Sequence, residues 1–290
     1  MEELQKQANR PTAKKFPQYG YIGILLLVAG WCANWALNGL RSQGGFFIQW
    51  LGYIFFIDAI VYSKKGNSFF TDNKKTFIGL FLASIPFWWF FELINLRVHY
   101  WVYDGSQYFT DLEFFILASI CFSTVIPAIT ETNELLSLVP FFNKELKWLK
   151  IKPSGRNLII MLVSGLAMLL ILLLYPKQFP YFLWISLYFI LEPLNCYLGF
   201  PTLLSYTEKG NWTPVIKLFA AGLCCGFFWE LWNYYSYPKW KYYLPGFDDV
   251  KIFEMPLAGY LGYLPFALEL WAYNQLVKGL ITKKTGGIEK

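Results

Sequence analysis

Residues 226–233 read Gly226-Phe227-Phe228-Trp229-Glu230-Leu231-Trp232-Asn233, and residues 88–95 read Trp88-Trp89-Phe90-Phe91-Glu92-Leu93-Ile94-Asn95. Each places a carboxylate and, three residues on, a carboxamide within an otherwise apolar, aromatic run. That spacing brings Glu230 and Asn233, and Glu92 and Asn95, onto one face of a helix. A chain that is 56% hydrophobic, 21% aromatic and only 15% charged departs from the quarter or so of charged residues in soluble domains. Lipid is therefore the solvent these runs are built for.

A bilayer core of about 30 Å needs about twenty apolar residues in a helix. Eight stretches qualify, near 19–37, 44–62, 75–96, 112–136, 157–176, 181–199, 213–235 and 254–278. The expected fold class is all-α, a polytopic membrane bundle of about eight transmembrane helices. Nineteen of the 25 Lys and Arg fall on one side of such a bundle; Arg41, Arg97, Lys177, Lys239, Lys241 and Lys251 fall on the other. By the positive-inside rule the basic side is cytoplasmic, with both termini there, and the net charge of +6 reports topology instead of a nucleic-acid partner. The sequon at Asn211-Trp212-Thr213 would face the cytoplasm, and the first apolar run lacks a processing site, so neither glycosylation nor a cleaved leader is expected.

The likeness between the two quoted stretches extends along the chain. Trp50-x7-Asp58 matches Trp184-x7-Glu192, and His99-Tyr100-Trp101-Val102-Tyr103 matches Pro238-Lys239-Trp240-Lys241-Tyr242. Leu112-Glu113 matches Phe253-Glu254, and Pro127-x3-Glu131 matches Pro265-x3-Glu269. Two four-helix repeats are expected, at 19–142 and 157–280, with a cytoplasmic segment at 1–18, a basic linker at 143–156 and a cytoplasmic tail at 281–290. Four spans return the chain to its starting side, so the copies would be parallel, related by an axis along the membrane normal.

Asp58, Glu92, Glu131, Glu134, Glu192, Glu230 and Glu269 fall inside predicted spans. A charged carboxylate at the bilayer centre costs roughly 2.5–3.5 kcal/mol on insertion scales. These groups must face a cavity, pair with donors or stay protonated. The alternative, that they are hydrogen-bonding glue between helices, remains open at each position. Trp229, Trp232, Tyr234, Trp240 and Tyr242 would wall a pocket beside Glu230, although Trp and Tyr at span ends also serve as interfacial anchors. Asn95, Glu192 and Glu269 complete the candidate binding set, contributed by both repeats. The five cysteines lie in apolar runs without ligand spacing, and no Asp-rich or Gly-rich phosphate motif occurs, so neither a metal nor another cofactor is expected.

Two repeated units with Trp-Glu-x-x-Asn, a Trp-x-Tyr loop and a re-entering Glu-and-Pro helix start resemble the lycopene cyclase domain of the heterodimeric or fused type, over Phe87 to Glu134 and Gly226 to Gln275. The resemblance implies a membrane enzyme that protonates a hydrophobic polyene and lets the cation close a ring without redox change. It implies Glu230 and Glu254 as acid and base, Asn233 as orienting group and Glu92 as their counterpart. That family opens its last helix with Pro-x-Glu-Glu, whereas here Glu254 precedes Pro256. The same block is also similar to one in bacterial integral membrane proteins, which implies a bacterial inner membrane and no chemistry. A proton-coupled permease or a non-catalytic scaffold fits the carboxylates as well. Membrane lipid and a hydrophobic small molecule are the expected partners, and oligomeric state is left open.

Overall fold

In a computed structural model that describes residues 14–37, 39, 44–244 and 250–286, the apolar runs are helices. They are α1 (Gln18–Ala36), α2 (Gly45–Lys65), α3 (Phe69–Asp72), α4 (Lys74–Val98), α5 (Asp111–Phe122), α6 (Val125–Leu136), α7 (Gly155–Leu174), α8 (Ser186–Leu198), α9 (Leu204–Thr207), α10 (Thr213–Asn233) and α11 (Tyr263–Gly286). Two short antiparallel ribbons accompany them, β1 (Trp101–Asp104) with β2 (Lys239–Tyr242) and β3 (Lys251–Ile252) with β4 (Met255–Pro256).

Among the described residues seven segments are long and apolar enough to cross a membrane: Gln18–Ala36, Gly45–Lys65, Lys74–Val98, Asp111–Leu136, Gly155–Leu174, Pro180–Leu198 and Thr213–Asn233. The protein is a helical membrane bundle. The stretch expected at 254–278 begins instead with β4 and a 3-10 turn over Leu257–Gly262, and its helix runs from Tyr263. Of the expected terminal segments, residues 1–13 and 287–290 lie outside the described residues.

Apolarity all round each helix is a consequence of having lipid on one side and protein on the other. α1 and α7 sit at the periphery, with Leu25, Ile159 and Val163 among their exposed residues. α2 and α10 lie in the interior, where Trp50, Trp229 and Trp232 pack ring against ring at 4.8 to 5.2 Å. Gly20, Gly23, Gly30 and Gly52 leave no room for a Cβ between α1 and α2, so those two backbones touch. The basic linker docks on the turn after α9, with Trp148 N–H donating to Gly210 O at 2.9 Å.

One span is broken at mid-depth. Between α5 and α6 the helix gives way at Ser123 and Thr124, and Ser84 of α4 repairs the gap by donating to Phe122 O at 2.5 Å and accepting from Ile126 N at 3.1 Å. Backbone groups freed inside a membrane need such partners.

Candidate functional site

The β1–β2 ribbon is the element that builds the site. A strand sends alternate side chains to opposite faces, so Trp101 and Tyr103 of β1 share a face with Trp240 and Tyr242 of β2, and all four line one cavity. The other face carries the ion pair of Lys241 with Asp104, at 2.7 Å. Lys241 lies beside the Asp104 carboxylate, and its hydrogen bond holds that group below the usual aspartate range. In the ribbon Trp101 pairs with Tyr242, and Tyr103 with Trp240. The sequence comparison aligns Trp101 with Trp240 and Tyr103 with Tyr242, so in the ribbon each residue faces the counterpart of the other.

Each strand is pinned by an asparagine in the last turn of the preceding helix. Asn95 donates to Trp101 O at 2.8 Å and accepts from Tyr100 N at 2.9 Å and Trp101 N at 3.3 Å. Asn233 donates to Trp240 O at 2.8 Å and accepts from Trp240 N at 3.0 Å.

One turn earlier sits the carboxyl. Glu92 Oε1 accepts from Trp88 Nε1 at 2.9 Å, Trp101 Nε1 at 3.1 Å and Tyr103 OH at 2.6 Å. Glu230 Oε1 accepts from Tyr242 OH at 2.9 Å and Tyr263 OH at 2.6 Å, while its Oε2 is buried without a partner. A Cβ at Gly226 would collide with the Tyr263 ring. The first half has Trp88 where the second has Gly226, and Val125 where the second has Tyr263. Thus glycine on α10 makes the space that a phenol from α11 fills.

The donors to both carboxyls, Trp88, Trp101, Tyr103, Tyr242 and Tyr263, line the same cavity, together with Trp184, Trp229, Trp240 and Phe266. Its volume is about 150 Å³, the size at which an apolar cavity admits one benzene ring. Glu92 and Glu230 themselves stand behind the ring wall. On the remaining side Phe114, Leu117, Ala118 and Cys121 of α5 form the lining, and Leu117 is 37% exposed. The cavity therefore reaches the lipid-facing surface along α5.

The other sequence-derived candidates lie elsewhere. Glu254, expected as acid or base, forms an ion pair with Lys239 and does not line the cavity. Tyr234 is 37% exposed and has Lys239 over its ring. Trp232 packs on Trp50 behind the cavity, and its backbone carbonyl accepts from Asn34 Nδ2 at 2.7 Å. Glu192 accepts from Leu204 N at 2.8 Å, at the start of α9, and Glu269 from Leu187 N at 3.0 Å, at the start of α8, so each satisfies a backbone N–H that opens a helix. Asp58 does the same for Phe70 N at 2.9 Å and also accepts from Tyr19 OH and Ser68 Oγ. Among the described residues no group of three His, Cys, Asp or Glu could hold a metal ion.

Sequence reasoning missed Trp88, Tyr103, Trp184 and Tyr263 as site residues. Tyr103 was within reach, since it aligns with Tyr242; Tyr263 was not, since its aligned partner is Val125. Comparison with models of protein families, with characterised proteins and with solved structures finds no match.

Proposed function

We propose that this is a membrane-embedded, isoprenoid cyclase-like enzyme that protonates an alkene of a hydrophobic lipid and isomerises it by ring closure. The observation that carries this reading is one aromatic cavity reached by hydroxyl groups bonded to a carboxyl on either side, Glu230 fully buried and Glu92 partly so. In the proposed step, Glu230 in its acid form reprotonates Tyr242 or Tyr263 as that phenol gives its proton to the substrate double bond. The carbocation is met by ring faces, each contributing roughly 0.5–2 kcal/mol of cation–π attraction. A carbon–carbon bond closes the ring. A proton then leaves the neighbouring carbon through Tyr103 to Glu92, restoring a double bond, so hydrogen and electron counts are unchanged.

The cavity holds one ring-sized end of the substrate, and the rest of the chain leaves along α5 into lipid. The proposed architecture is eight spans in two parallel four-helix repeats. It is supported by the crosswise ribbon register, the matched Asn95 and Asn233 bonds, and the matched Glu92 and Glu230 sites. We place it in a bacterial inner membrane with both termini cytoplasmic, on the Lys and Arg asymmetry. To test the reading, the chain is expressed in cells that make acyclic carotenoids and other polyprenyl lipids. A cyclic product is expected from the wild type and from Glu254→Gln, and none from Glu230→Gln; unchanged lipid profiles across several acyclic substrates would sink it.

A second reading, a proton-coupled permease, is favoured by the break between α5 and α6 at the cavity wall, since carriers build sites on discontinuous spans. Proton-driven flux in proteoliposomes that is lost in Glu230→Gln would support it, and flux indifferent to Glu230 would remove it.

A further inference from the structure

On the Lys-rich side of the bundle a second cavity, of about 120 Å³, lies between α6, α10 and α11. Its character is opposite to that of the first. Two helix faces form its walls: Thr130, Asn133 and Glu134 on α6, at helical spacing, and Asn274, Gln275 and Lys278 on α11, likewise one turn apart. Deeper in, Ile126, Ile129, Leu218 and Leu270 make an apolar floor. The face thus changes from apolar to polar along each helix toward the Lys-rich end.

The polar side chains are not serving one another. Asn274 is 5% exposed, yet among the described residues no group hydrogen-bonds its side chain, and Asn133 Oδ1 is buried and unpartnered. Leaving the Asn133 amide oxygen buried without a donor is costly, and the Asn274 amide lines the same space without a partner among the described residues, so both fit something that occupies it. Charge narrows the choice. Glu134 is neutralised by Lys65 at 2.7 Å, and the neighbouring Lys217 donates to Ser137 Oγ at 2.8 Å. Lys278 has no anionic partner among the described residues; its ammonium lies 5.8 Å from the Phe69 ring centroid. An unpaired ammonium beside the amide N–H groups of Asn274 and Gln275 calls for an anion with several acceptor oxygens, and the unpartnered Asn133 Oδ1 calls for a hydroxyl on the same group, as the P–OH of a phosphoryl monoanion supplies. The volume is several times what one water requires.

We propose that this cavity binds a phosphoryl group, held by Lys278 and the amides of Asn133, Asn274 and Gln275, and carried on an amphiphile whose tail follows the apolar floor or supplied free. The site is independent of the aromatic cavity and of the reaction proposed there.

The test uses the full chain in detergent and native mass spectrometry with phosphatidic acid, diacylglycerol of the same acyl chains, and inorganic phosphate. Phosphatidic acid should be retained at least tenfold better than diacylglycerol. Retention should fall to the diacylglycerol level in Lys278→Gln and Asn274→Leu, and survive in Lys278→Arg and in Lys150→Gln, which alters an exposed linker lysine. Displacement by inorganic phosphate would mark the free ion as a ligand, and failure to displace would mark the lipid-borne group. Equal retention of phosphatidic acid and diacylglycerol by the wild type would overturn the proposal, as would undiminished binding of phosphatidic acid and phosphate in both Lys278→Gln and Asn274→Leu. Thermal unfolding of each variant separates lost binding from lost fold.

Discussion

The carboxyls of Glu92 and Glu230 sit one turn before matching asparagines and behind matching rings, yet their donors differ in kind. Two of the three groups on Glu92 are indole N–H, and both groups on Glu230 are phenol O–H. An indole nitrogen only donates, whereas a hydroxyl donates and accepts. A proton can therefore pass through Tyr242 or Tyr263 between Glu230 and the cavity, but on the Glu92 side only Tyr103 offers such a route. The swap of Trp88 and Val125 for Gly226 and Tyr263 leaves Glu92 with one hydroxyl partner and gives Glu230 two, so in the proposed reaction one side has a single proton route and the other has two.

The largest effect that would break or sharpen this contrast is loss of the acid itself. Glu230→Gln keeps the size of the side chain and the two phenol donors, and it should lower product formation by about 10²- to 10⁴-fold, the usual contribution of a positioned general acid. Glu92→Gln should cost less, because Tyr103 can still pass a proton to solvent or lipid headgroups. Product per unit of folded protein is the readout, and equal losses would remove the proposed division of labour. The double change Gly226→Trp with Tyr263→Val rebuilds the second half in the image of the first. It should fold and, with Tyr242 still on Glu230, lose about tenfold in turnover, while the reciprocal Trp88→Gly with Val125→Tyr should retain activity.

Next in size are the branches. Tyr263→Phe and Tyr242→Phe each leave one phenol on Glu230, so each alone should reduce turnover by about tenfold and the pair by the full loss of the acid. Trp101→Phe, which removes one of three donors to Glu92, should change turnover less than either. Smaller again are effects on stability alone. Asn95→Ala and Asn233→Ala each strand buried backbone groups and should each cost about 1–3 kcal/mol, measured by unfolding in detergent. Similar costs at the two positions would support equivalent roles in holding the ribbon; a cost at only one would show that one strand is held by other contacts.

Much of this was legible in the sequence because membrane solvent makes polar residues conspicuous. Glu92, Glu230, Asn95 and Asn233 stand out against apolar runs, and their spacing on a helix face follows from helical geometry alone. The ribbon was not legible. Four-residue strands between helices carry no periodicity, and only their partner, brought close by the fold, explains why Trp101, Tyr103, Trp240 and Tyr242 face one way. The carboxyls of Asp58, Glu192 and Glu269 read the same as the others in sequence, since an acceptor for the N–H that opens a helix and a group beside a cavity are both intramembrane acids. What separates them is which N–H or O–H meets them, and that is decided by chain segments far away in sequence. Glu254 read in sequence as part of a helix start, whereas it lies in the turn between β3 and β4 and pairs with Lys239, a contact that no spacing along the chain announces.

The smallest expected effect belongs to the outer face of the ribbon, where the two strands again differ: β1 supplies Asp104, and β2 supplies both lysines. Lys241 beside Asp104 holds that carboxyl below its ordinary 3.8, and Asp104 in turn holds the Lys241 ammonium above its ordinary 10.5. A lowered acid adds stability above its ordinary value and loses it as pH falls through the lowered one; a raised lysine adds stability below its ordinary value and loses it as pH climbs through the raised one. Closure of the ribbon over the cavity should therefore be flat with pH between these limits and loosen at both extremes. Both side chains are a little over a third exposed, and solvent screens such a pair strongly. Hydrogen exchange of the β1 and β2 amides should accordingly rise only slightly below pH 4, and Asp104→Asn should abolish that rise while leaving exchange at neutral pH almost unchanged. A marked loosening of the ribbon in Asp104→Asn at neutral pH would instead show that the charged outer face, and not the aromatic inner face with its two asparagines, is what keeps the cavity covered.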